Sequence, residues 1–156
     1  MSTSNAILGA LMVAILIPVA WIDLRKRIIP NAITAPAAAV AIVAGTVLNP
    51  SQEWGRLLAG VLAGGFLLIA ALIKPGAMGM GDVKLLGVMG LFLGAPVTVA
   101  LFIALIASVL TGVVLATQKG VRAARKTTIP FGPYLAFGGI IAAAFGHQLI
   151  HAWLSH

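Results

Sequence analysis

Long apolar runs separated by short polar stretches dominate the chain. Six runs stand out, at residues 6–22, 32–48, 57–73, 83–94, 97–117 and 134–154. Most approach the ~20 residues that an α-helix needs to cross the hydrocarbon core of a bilayer. The fourth is short. It is expected to be a thin or tilted span, to borrow residues from its flanks, or to be partly re-entrant. Gly94-Ala95-Pro96 separates it from the fifth, since Pro breaks the helical ladder and restrains the residue before it. The pattern predicts an all-α, polytopic membrane helix bundle of about six transmembrane helices. A single integral-membrane domain is expected over residues 1–156.

Composition agrees with this reading. The chain is 61% hydrophobic and 8% charged, whereas about a quarter of an ordinary globular chain is charged. These 156 residues hold no Cys, which excludes disulfides, thiol catalysis and Cys-ligated zinc among them. A net charge of +7 invites a nucleic-acid reading. In a membrane chain it fits basic loops on the cytoplasmic side, and no nucleic-acid partner is expected. The first run has no basic segment before it. It ends in Asp-Leu-Arg-Lys-Arg and not in a small-residue cleavage site, so it is expected to be a retained span.

Placing six spans puts Arg25, Lys26, Arg27, Lys74, Lys84, Lys119, Arg122, Arg125 and Lys126 on one side of the membrane and Arg56 on the other. The positive-inside rule makes the nine cytoplasmic and both termini external. Five spans would split the basic loops between the two sides. Small residues in "APAAAVAIVAG", "AGVLAGGF" and "FGGIIAAAFG" suit close helix packing in lipid.

Only three acids occur: Asp23, Glu53 and Asp82. Glu53, in "NPSQEWG", reads as a solvated loop residue on the outer side. Asp23 ends the first span and Asp82 opens the fourth, so topology puts both at the cytoplasmic membrane edge. Separately, each has a plain explanation. Asp82 can cap a helix, and Asp23 can pair with Arg25 or Arg27. Together they suggest chemistry, because ionisable groups at membrane depth usually mark function. Two close carboxylates share a proton. The ionised one can activate water, and the protonated one can polarise a peptide carbonyl and then protonate the leaving amine.

Three motifs carry a family resemblance. "GMGDVKLLG" contains Gly79-Met80-Gly81-Asp82 and resembles the Gly-x-Gly-Asp signature of membrane aspartic proteases, with Lys-Leu-Leu following as in the prepilin peptidase version. "DLRKRIIPN", Asp23 to Asn31, resembles the first-aspartate motif of the same family. "IPFGPYLAFG", Ile129 to Gly138, resembles the segment that opens the last span of many members. The resemblance is to the type IV prepilin peptidase family, in the short, peptidase-only form similar to enzymes serving Flp/Tad pili. It implies an aspartic endopeptidase of the inner (plasma) membrane that removes the leader of type IV pilin-like precursors at the cytoplasmic face. Asp23 and Asp82 are then the catalytic pair, and Gly79, Gly81 and Lys84 belong to the active-site loop. Lys84 either orients a carboxylate or snorkels at the membrane edge. Pro30, Asn31, Pro130 and Pro133 are expected to shape helix entries. Longer members carry a domain with zinc-binding cysteines and methylate the new pilin N-terminus. No methyltransferase function is expected without those cysteines.

The implied partners are a prepilin substrate and membrane lipid, with no cofactor and no metal. The sequence specifies no oligomeric state and does not say which Asp is the base. His147 and His151, spaced i, i+4, have metal-ligand spacing, but with His156 they fall on the side away from the aspartates and read as interfacial. Trp21, Trp54 and Trp153 read as interface anchors. An archaeal-type preflagellin peptidase and a non-enzymatic proton or ion relay are the alternative readings.

Overall fold

A computed structural model describes residues 2–73, 78–120 and 130–155, and at residues 151, 153 and 154 the backbone alone. The expectations for Lys74, Arg122, Arg125, Lys126 and His156, and for the side chains of His151 and Trp153, lie outside the described residues. Among the described residues there are six α-helices and no strand. They are α1 (Thr3–Lys26), α2 (Asn31–Leu48), α3 (Glu53–Ile73), α4 (Met80–Leu93), α5 (Val97–Lys119) and α6 (Gly132–Leu154), with a 3-10 turn at Pro50–Gln52 before α3.

Five stretches are long and apolar enough to cross a membrane: Thr3–Lys26, Asn31–Leu48, Pro50–Ile73, Val97–Lys119 and Gly132–Ile150. The helix left out is α4, with 14 residues. At 1.5 Å per residue it is about 21 Å long, against a hydrocarbon core of about 30 Å. Its bounds follow from its glycines. Gly79 caps it in an extended conformation, and Gly94 closes it at φ 67 with its N–H bonded to the Gly90 carbonyl. The short fourth run in the sequence is therefore a short helix.

Its position compensates for its length. Val83, Leu85, Leu86, Val88, Met89 and Phe92 bury side chains over most of the circumference of α4, making it the centre of the bundle. The other helices turn large apolar side chains outward, among them Ile17, Val43, Val61, Leu62 and Phe102. In water such a surface drives aggregation, whereas in lipid it needs no cover.

Small residues set the helix spacing. A Cβ on Gly90 of α4 would lie 2.6 Å from the Gly60 Cα of α3, so these helices meet backbone to backbone. Successive contacts run antiparallel. The Ser4 hydroxyl at the start of α1 donates to the Leu48 carbonyl at the end of α2. Asn5 of α1 meets His147 near the end of α6 at 3.3 Å. Up-and-down packing therefore collects the C-terminal ends of α1, α3 and α5 and the N-terminal ends of α2, α4 and α6 at one end of the molecule.

The opposite end corrects the reading of Glu53. It is not a solvated loop residue. It begins α3 and forms the one ion pair among the described residues, with Arg56 Nη1 at 3.4 Å. Arg56 is 3% exposed. Its Nη1 also donates to the carbonyls of Gly45 and Asn49, each at 3.3 Å. Those carbonyls lie at the end of α2, where they already accept the N–H groups of Asn49 and Gln52, and Arg56 adds a second donor to each. Arg56 thus closes α2 from the neighbouring helix, and Glu53 balances its charge.

Candidate active site

The site is built from three helix ends. Asp23 lies in the last turn of α1, where Arg27 ends the helix in the left-handed conformation (φ 52) with its N–H on the Asp23 carbonyl. The chain then turns through Ile28 and Ile29 to Pro30, which starts α2. The Asp23 side chain is 5% exposed. Its Oδ2 accepts a hydrogen bond from the Gly132 N–H at 3.0 Å. Gly132 opens α6, and the first N–H groups of a helix lack intrahelical partners and carry the positive end of its dipole. A carboxylate that leaves α1 at the unfavourable end of one dipole is thus received by the favourable end of another.

Asp82 is 7% exposed and occupies the first turn of α4. Its carboxyl faces the backbone amide of Gly79 and lies close enough to Asp23 for the two charges to act on each other. The capping role read from sequence takes another form, since Gly79 is the N-cap residue and Asp82 reaches back to it from the first turn. It coexists with the juxtaposition to Asp23. The alternative for Asp23, pairing with Arg25 or Arg27, is not what the structure has. Arg25 lies over the Trp21 ring, 4.4 Å from its centroid, as suits a cation and an aromatic ring at an interface.

Of the expected loop residues, Gly79 caps α4 and Gly81 lies inside its first turn. A Cβ on Gly81 would come within 2.8 Å of the Ile29 Cβ, so this glycine lets α4 close on the turn between α1 and α2. Lys84 contacts neither carboxylate. Its Nζ donates to Asn31 Oδ1 at 2.9 Å. Sequence reasoning passed over Gly132. The signal was the Phe-Gly-Pro within "IPFGPYLAFG", but a contribution made by a backbone amide leaves no side chain to read.

Fold and site together define a multi-pass helical membrane protein with two buried aspartates brought together at one end. Residues 10–116 match the type IV leader peptidase family, and the chain belongs to that family. Both aspartates fall within the matched range. The chain is 32% identical over 155 residues to the prepilin leader peptidase/N-methyltransferase of Bacillus subtilis (strain 168), covering 94% of this chain and 58% of that protein. It is 28% identical over 164 residues to the protein of the same description from Legionella pneumophila, covering 99% and 55%. The corresponding Xanthomonas campestris pv. campestris protein is 30% identical over 155 residues, covering 94% and 53%. The chain thus spans little more than half the length of these curated relatives. No solved structure matches it significantly.

Proposed function

We propose that the chain is an aspartic endopeptidase that removes the leader from type IV pilin-like precursors, with Asp23 and Asp82 as its catalytic pair. The observation that carries this reading is that two buried aspartates, from distant parts of the sequence, stand at one end of the bundle, within reach of each other's charge. In the reaction one carboxylate takes a proton from a water molecule as its oxygen attacks the scissile carbonyl. The other, protonated, donates a hydrogen bond to the carbonyl oxygen. Collapse of the tetrahedral intermediate breaks the C–N bond, and the amine leaves with a proton from the pair.

The reading is confined to peptide hydrolysis. These 156 residues hold none of the cysteines associated with the methylating members. The remaining finer points belong to the same proposal. The single domain sits in the inner membrane with both termini outside, and the site faces the cytoplasm. Arg25, Lys26 and Arg27 at the end of α1 and Lys119 at the end of α5 support that orientation, because basic residues favour the cytoplasmic side.

The test is co-expression with a Flp-type prepilin, followed by its mobility shift. Asp23→Asn and Asp82→Asn are each expected to abolish cleavage while the protein still inserts. Cleavage at the parent rate by either variant would overturn the pair. Proton flux in liposomes that is lost in both variants, without proteolysis, would favour the relay reading.

A further inference from the structure

Asn31 and Lys84 stand in the two segments that carry the aspartates, are both exposed, and take no part in the chemistry above. Their side chains nonetheless meet at 2.9 Å. On α4, Asp82 and Lys84 are two residues apart, about 200° around the helix axis. When Lys84 points at the start of α2, Asp82 points away from it.

That first turn otherwise packs through the Gly81 backbone, against Ile29, and through the buried Val83. The open face of α4 is the row Met80, Lys84, Gly87 and Leu91, and on that row Lys84 holds a polar partner on another helix. Farther along, Gly87 and Gly90 seat it against α3. The opening turn holds Gly79, Met80 and Gly81, of which Met80 is 51% exposed. Gly81 brings its backbone against Ile29, but neither glycine presents a side chain that would resist rotation of the turn.

We propose that the Asn31–Lys84 hydrogen bond is a clasp that sets the rotation of α4 and so aims Asp82 at Asp23. Both are positioning residues, and the inference rests on the catalytic reading of the two aspartates. An exposed hydrogen bond adds modestly to stability, enough to read as a shift of a few degrees in unfolding temperature. Its effect on the reaction lies in geometry, where a misplacement of about 1 Å costs on the order of 100-fold in rate.

The experiment is a double-mutant cycle on prepilin cleavage with Lys84→Met, Asn31→Ala and the pair. Each single variant is expected to lose about ten- to a hundredfold in kcat with KM unchanged. The double variant is expected to be no worse than the poorer single one, because both remove the same bond. Lys84→Arg, which keeps a donor, is expected to restore most of the activity. Losses that multiply, or a rise in KM, would make these residues substrate contacts and overturn the clasp. Full kcat in both single variants would overturn it too, and would leave the aspartate pair standing. The same cycle on unfolding temperature in detergent needs no substrate. Non-additive shifts there support the bond even if the aspartate variants still cleave, and strictly additive shifts count against it.

Discussion

Gly132 acts through a backbone amide and through the space that a side chain would take. A Cβ there would lie 2.5 Å from Asp23 Oδ2 and 3.0 Å from its Cγ. Asp23 is itself buried, so its carboxylate has no easy retreat. Gly132→Ala is therefore expected to lower kcat by about 100-fold or more, with KM little changed, because the residue touches the candidate base or acid and not the substrate. Cleavage kinetics on detergent-purified protein, alongside its unfolding temperature, check this. A variant as fast as the parent would mean that Asp23 does not need that amide. Asp23 and Asp82 were legible because acids are so scarce in this chain that each one needs an explanation. The pairing of Lys84 with Asn31 was not legible. From sequence Lys84 reads either as orienting a carboxylate or as snorkelling at the membrane edge, and no local pattern links residues so far apart in sequence.

Among the elements, the turn between α2 and α3 departs most from the sequence reading. "NPSQEWG" looks like a polar turn because its run of turn formers hides the start of a helix at Glu53. The i, i+3 spacing of Glu53 and Arg56 was the available clue. What could not be read was the burial of Arg56 against the end of α2, which depends on Gly45. A Cβ at that glycine would collide with the Glu53 carboxylate. Arg56→Met is expected to destabilise the bundle by about 2 kcal/mol, the scale for losing hydrogen bonds from a charged donor. Cleavage per folded molecule is expected to be unchanged, because this end is remote from the aspartates. A thermal melt in detergent paired with the cleavage assay separates the two effects, and an unchanged melt would show that the cap is dispensable. The glycine contacts between α3 and α4 were legible in part. "AGVLAGGF" marks the α3 side, while Gly87 and Gly90 on α4 have meaning only once the two helices are seen to meet.

At the scale of the whole molecule, alternation of direction turns a linear order into a site. Each helix reverses the last, so the third reversal returns the chain to the level where α1 ended, and the fifth brings α6 there as well. The number of helices and their order followed from the apolar runs. Which helix became the centre did not, because a short apolar run looks the same whether lipid or protein surrounds it. The absence of cysteine makes the proposed orientation directly measurable. Ser51→Cys and Gln118→Cys place single thiols at exposed positions near opposite ends. A membrane-impermeant thiol reagent added outside intact cells is expected to label the first and spare the second. The reverse pattern would put the aspartates on the external side.

A central helix shorter than the bilayer has a consequence for the lipid around it. With about 21 Å of α4 set in about 30 Å of hydrocarbon, the start of that helix lies below headgroup level among the longer helices, unless the leaflet at its open face of Met80, Lys84, Gly87 and Leu91 dips to meet it. Such a dimple would carry bulk water down to Asp82, supplying the reactant that hydrolysis consumes. The membrane itself then becomes a control on the reaction. Reconstituted into bilayers of increasing acyl-chain length, the protein is expected to lose activity stepwise as the dimple grows costlier to hold open, while a rate indifferent to thickness would mean that water arrives by another route.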